Sequence, residues 1–144
     1  MAMMRVALVL CLGAIYATAA AADEEKSPAH YACDFKAGFS WSYEGGKFAS
    51  SPPSELKFEI GNVDLEKQSA TLVLDGKSAN TLKIVRALNA NHFLEVVNEG
   101  FLNLTTIYDR DPATGEFPAV HSRHFGLFGQ PMFAQYAGTC TEKP

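Results

Sequence analysis

Basic charge is in short supply in this chain, and so are cysteine, tryptophan and long apolar runs. Twelve Lys and Arg stand against 16 Asp and Glu over 144 residues, a formal charge of −4, and no basic block breaks the distribution. DNA, RNA and anionic membranes are held by cationic surfaces that release counterions, so this composition argues against all three as partners. Helix-turn-helix, RRM and zinc-finger patterns are missing as well. The three cysteines form no C-x-x-C pair, and neither H-E-x-x-H nor G-x-S-x-G occurs. "YEGGKF" at 43–48 puts two glycines before a lysine without the spacing of a phosphate loop, and reads as a hairpin. No catalytic set, metal or cofactor is therefore assigned.

One apolar run does exist. "VALVLCLGAIYA" at 6–17 follows Arg5 and precedes the small residues "TAAAAD" at 18–23. At about 12 residues it falls short of the roughly 20 that span a bilayer, and its flanks are those of a signal peptide. We read 1–22 as a cleaved signal and 23–144 as a single disulfide-tied β domain, exported to the periplasm or the extracellular space, with no transmembrane segment in the mature chain. Losing Arg5 takes Lys plus Arg from 12 to 11 against the same 16 acids, and the charge from −4 to −5. Cys11 leaves with the signal; Leu10 before it is not the small residue that lipid attachment requires. Cys33 and Cys140 remain, and an even pair in an exported chain is most simply one disulfide. It closes a loop of about 107 residues, for which chain entropy gives roughly 4.7 kcal/mol.

Short alternating segments fill the rest. "FSWSYEG" sets Phe39, Trp41 and Tyr43 on one face, and "ELKFEI" sets Leu56, Phe58 and Ile60 inward against Glu55, Lys57 and Glu59. "GGKFASSPPS" between them reads as a turn or loop, since glycine permits positive φ and two prolines deny ladder donors. "ATLVLDG", "NTLKIVRAL", "HFLEVV", "FLNLTTIYD", "FPAVHSRHF" and "PMFAQYAGTC" follow, with Asp75-Gly76, Asn89 to Asn91, 98–100 and "RDPATGE" as reversals. Seven to nine strands at about ten-residue spacing, without a convincing long helix, define an all-β class: a small antiparallel meander, closed or partly closed into a barrel of about 8 strands, with a two-sheet sandwich as its rival. Most of the numerous aromatic residues are assigned to its core.

"PAVHSRHFGLFGQP" at 118–131 concentrates the functional side chains. In a strand His121 and Arg123 share one face while Ser122 and His124 take the other, so the two histidines cannot chelate one ion. Zinc would need further ligands, such as His92, Asp109 or Asp111. Arg123 carries a fork suited to carboxylate or phosphate; in a purely structural role it would instead form an ion pair with Asp109 or Asp111. A catalytic set with His121 or His124 as base, Asp109 or Asp111 as orienter and Ser122 or Thr106 as nucleophile lacks any supporting motif. The ligand- or partner-binding residues expected from this stretch are His121, Ser122, Arg123, His124, Phe125 and Phe128. Asn103-Leu104-Thr105 also matches the N-glycosylation acceptor.

In size, export signal, the "Y-x-C" near the mature start and a meander of short strands, the chain resembles the bacterial membrane-bound and periplasmic inhibitors of C-type lysozyme. The resemblance implies inhibition of an extracellular or periplasmic hydrolase. It carries no residue across, because that family's serine- and glycine-containing loop does not map onto "SSPPSEL". From the residues themselves the expected function is a noncatalytic binding protein whose partner is an unidentified small molecule or exported protein. The same residues are compatible with a small-molecule carrier, which requires an aromatic cavity of roughly 300 Å³ or more, and with a structural envelope-associated protein.

Overall fold

The computed structural model describes residues 27–97, 101–126 and 130–144. The expected signal peptide, the reversal at 98–100 and Phe128 lie outside the described residues. Among the described residues nine strands follow in order: β1 (Tyr31–Glu44), β2 (Lys47–Ser51), β3 (Leu56–Asp64), β4 (Ser69–Leu74), β5 (Lys77–Arg86), β6 (Ala90–Val97), β7 (Phe101–Tyr108), β8 (Phe117–Phe125) and β9 (Met132–Glu142). Each neighbour pair is antiparallel from β3 to β9, and β9 returns to pair with β1. Eight strands thus close a barrel, which decides against the sandwich; β2 is the extra, outer strand.

The extra strand arises because β1 is longer than the barrel needs. Its first half, from Tyr31 to Phe35, pairs with β3, its second half, from Ser40 to Glu44, pairs with β2, and β9 runs beside it from end to end. "GGKFASS" is therefore not all loop. Gly45 and Gly46, at φ 58° and 83°, make the two-residue turn, and Lys47 begins a strand. The Asp75-Gly76 turn, at φ 49° and 73°, forms where the sequence indicated it.

Alternation fills the barrel. Tyr31, Cys33 and Phe35 from β1, Phe58 and Ile60 from β3, Ala70 and Leu72 from β4, Leu82 and Ile84 from β5, Phe93 from β6 and Ile107 from β7 are buried together. Phe117 and Ala119 from β8 and Ala134, Tyr136 and Cys140 from β9 complete the core. Tyr31 sits edge-on to Phe93 and Phe117, and burial followed by the nearby Glu142 pushes its phenol up to about 12. Arg110 covers this end: its guanidinium lies 4.5 Å over the Phe117 ring and bonds Glu142 and the Gly115 carbonyl.

The ends of the chain are tied at the β1–β9 seam. Cys33 and Cys140 are directly paired across the two strands and joined as a disulfide. Outside, Glu59 accepts from Lys143 at 2.5 Å and lies 2.9 Å from His30 Nε2; Lys143 first, then His30, holds its carboxyl below the usual range. Gly138 permits the seam's close approach, because a Cβ there would collide with the Asp34 carbonyl and stand 2.7 Å from Phe35 Cα.

One irregularity changes the face of half a strand. Phe35 pairs with Gly138 and Ala37 with Ala137, so Lys36 is an extra, bulged residue on β1. Beyond it Gly38 and Ser40 stand opposite the buried Tyr136 and Ala134, and the odd-numbered residues point out. Phe39, Trp41 and Tyr43 do share a face, but it is the outer one. Phe39, Tyr43 and Phe48 are exposed, and Trp41 and Phe48 each contact the Phe133 ring. The expectation that these aromatics belong to the core is corrected by that single inserted residue.

Candidate ligand site in the barrel

Above the apolar layers the inward positions turn polar. The β6–β7–β8 register sets Glu95 opposite Asn103 and Asn103 opposite Arg123; one layer below, Phe93 faces Thr105 and Thr105 faces His121. These side chains are inward because each stands two residues from a core position, Phe93, Ile107 or Ala119, or continues that alternation one step further. Phe101 and Phe125 continue the same faces upward and meet edge to face at 5.1 Å.

The polar layer is partly self-satisfied. Asn80 Nδ2 donates to Glu95 Oε1 at 2.5 Å, and Asn103 Nδ2 donates to Glu95 Oε2 at 2.7 Å. Thr105 Oγ1 and His121 Nδ1 share a hydrogen bond of 2.8 Å. Within this layer three buried atoms have no hydrogen-bond partner among the described residues: Asn103 Oδ1, His121 Nε2 and Arg123 Nε; outside it Asp34 Oδ1 is a fourth. All three residues line a cavity of about 130 Å³, with Glu95 and Thr105 as further polar walls and Phe58, Leu72, Leu82 and Phe93 as apolar ones. Leu74, largely exposed, also lines it and marks where it meets the surface.

His121 is the most perturbed group here. Burial among Phe35, Phe58 and Tyr136, and then the adjacent Arg123 charge, push its pKa down to about 3. It is therefore a neutral imidazole at neutral pH, with Nδ1 on Thr105 and Nε2 buried without a partner. Arg123 supplies the positive charge; its guanidinium lies 5.9 Å from the Tyr136 ring centre.

Of the residues expected from the sequence, the structure brings His121, Arg123 and Phe125 to the inner face. Ser122 and His124 are on the outer face, where His124 stands beside Phe133. The register also sets Asp109 and Asp111 beyond the far end of β7 from Arg123, so the expected ion pair is not formed. Nor do the parts of the catalytic set meet: Thr106 is bonded to His92 at 2.9 Å, on the face opposite His121. Among the described residues no three His, Cys, Asp or Glu side chains are grouped so as to hold a metal ion. Asn103 is buried and bonded to Glu95, so the glycosylation acceptor is closed in the folded barrel.

Glu95, Asn103 and Thr105 were not legible as ligand groups in the sequence. The signal was present in the alternation, since each is a polar residue at a position in phase with Phe93 or Ile107. Two larger hollows lie elsewhere. One of about 710 Å³ is on the outer side of β1, β3 and β9, where Asp34 already meets Lys36 and Lys57 at 3.2 Å each. One of about 590 Å³ is at the end closed by Tyr31, Phe117 and Arg110. The interior cavity is under half the volume expected of an aromatic carrier, which restricts any occupant to a few heavy atoms.

No family model matches the chain, and searches of curated proteins and of solved structures return no match. The functional reading rests on the geometry.

Proposed function

We propose that this protein is an exported, noncatalytic binding protein that holds a small polar molecule inside its barrel. The observation that carries this reading is that Asn103, His121 and Arg123, each with a buried polar atom that has no hydrogen-bond partner, all line one cavity. A buried polar atom left without a hydrogen bond costs about 1 to 3 kcal/mol, and native structures meet such a cost with a ligand or with ordered water. The chemistry of the walls suits noncovalent capture, with a cationic donor and a neutral imidazole on one side and an amide oxygen on the other.

The test is NMR of the mature, oxidised protein titrated with small polar compounds such as propionate, ethylamine, glycerol, urea and glycine. The expected result is a set of shifts centred on Leu82, Phe93, Thr105 and His121. Shifts confined to the outer surface, or none with any compound, would refute the interior site.

A second reading, docking onto another exported protein, is supported by the outer aromatic ladder of Phe39, Trp41, Tyr43, Phe48 and Phe133. Inhibition of an extracellular hydrolase is one form of it. It predicts that a partner crosslinked to the wild type in the native compartment is lost from a Tyr43→Ser/Phe48→Ser variant. An unchanged crosslink would remove the ladder from consideration.

A further inference from the structure

We infer that the occupant of the barrel is a small zwitterion, an amino-carboxylate of about the size of alanine, with its carboxylate on the Arg123 side and its ammonium on the Glu95 and Asn103 side. The inference rests on the reading of the interior as a ligand site and gives that site its chemistry. The first argument is charge. The cavity walls carry one carboxyl group, Glu95, and one guanidinium, Arg123. A simple anion satisfies Arg123 while facing Glu95, and a simple cation does the reverse. A dianion such as phosphate repels Glu95 more strongly still. A molecule with both charges meets each with its opposite.

The second argument is the order of the groups. Acceptors and donors are segregated along one row of paired residues: Glu95 on β6, Asn103 on β7, Arg123 on β8. Two strand spacings, roughly 10 Å, separate the ends of that row, a span that one amino-carboxylate and its hydrogen bonds bridge. Each Glu95 oxygen takes one amide N–H, from Asn80 or Asn103, and a carboxylate has lone pairs for more. Together with Asn103 Oδ1 it can serve the three donors of an ammonium group. Arg123 Nε and, through its N–H tautomer, His121 Nε2 are donors for a carboxylate.

The third argument is size. A volume of about 130 Å³ holds roughly four water molecules, the bulk of alanine rather than of leucine. Phe58, Leu72, Leu82 and Phe93 give a short aliphatic side chain an apolar wall.

The experiment is calorimetry and NMR on the mature, oxidised protein with glycine, L-alanine, L-leucine, propionate, ethylamine and L-alaninamide. Glycine and alanine are expected to bind and to shift His121 and Leu82, with propionate, ethylamine, alaninamide and leucine at least tenfold weaker. Arg123→Met and Glu95→Gln are each expected to weaken alanine tenfold or more; the wild-type series stands without them if either fails to fold. Propionate or ethylamine binding inside the barrel as tightly as alanine would overturn the zwitterion and leave the interior site standing. Failure of every probe to shift the interior would overturn both.

Discussion

His121 makes the acid stability of this protein a direct test of its interior. The imidazole has a folded-state pKa of about 3 against 6.5 for the free group, through burial first and the Arg123 charge second. Between those values the unfolded chain binds a proton that the folded barrel does not, so stability rises with pH across this window and is lost on acidification. Integrating from pH 7 to pH 5 gives a loss of about 2 kcal/mol from this one group. With a urea m-value of about 2 kcal/mol/M, that moves the midpoint down by about 1 M. Glu59 and Asp64, held below the ordinary carboxylate range by Lys143 and Lys67 respectively, act in the same direction but below about pH 4.5, outside the interval. The assay is urea unfolding followed by circular dichroism at pH 7, 6 and 5, for the wild type and for His121→Gln. Subtracting the two series removes the titrations they share. The variant is expected to be less stable at pH 7 and to lose about 2 kcal/mol less than the wild type on going to pH 5. Equal losses would mean that His121 takes up its proton in the folded state, and would refute both its burial as a neutral group and its fixed place on the cavity wall.

Three further outcomes test the frame that holds the site. Replacing both cysteines, Cys33→Ala with Cys140→Ala, is expected to cost about 2 to 5 kcal/mol in urea unfolding, and a shift below about 0.5 kcal/mol would show that the seam closes without its bridge. Deleting Lys36 removes the bulge yet leaves Ala37 opposite Ala137 and Gly38 opposite Tyr136, so Phe39, Trp41 and Tyr43 keep their outward face. The expected result is a deletion variant that still unfolds cooperatively by circular dichroism, as Lys36→Gly also does; loss of cooperative unfolding on deletion alone would refute the assigned register. Gly138→Ala places a methyl against the Asp34 carbonyl and Phe35 and is expected to cost about 1 to 3 kcal/mol, measured by thermal unfolding, with an unchanged midpoint counting against so close a seam.

The two proposals for function use different strands and opposite faces of the sheet, the cavity being lined from β3 to β8 and the aromatic ladder lying on β1, β2 and β9. On β8, His121, Arg123 and Phe125 go to the barrel interior while Ser122 and His124 go to the surface that carries Phe133. Period-two alternation thus divides one dense polar stretch between a cavity and a docking face. A single substitution can address either alone, which is why Arg123→Met and Phe48→Ser separate the readings.

Much of this architecture could be read before any coordinate, because a strand's pleat is a local property. The inward set Leu56, Phe58 and Ile60, the Asp75-Gly76 turn and the opposite faces of His121 and His124 all follow from a repeat of two residues and the φ preferences of turn residues. The two cysteines likewise pointed to a link between the chain ends in advance of their pairing. Tertiary structure alone decided the rest, and in each case the deciding partner is far away in sequence. Barrel and sandwich have the same strands and differ in whether β9 finds β1, a contact across more than 100 residues. The bulge at Lys36 is set by β9 opposite, so nothing within "FKAGFSWSY" reveals that its aromatic face turns outward. Glu95 in "HFLEVV" and Asn103 in "FLNLTTIYD" look like ordinary polar interruptions until the register places them side by side. Alternation assigns a residue to a face; only closure of the sheet determines whether that face encloses a cavity and which charges meet there.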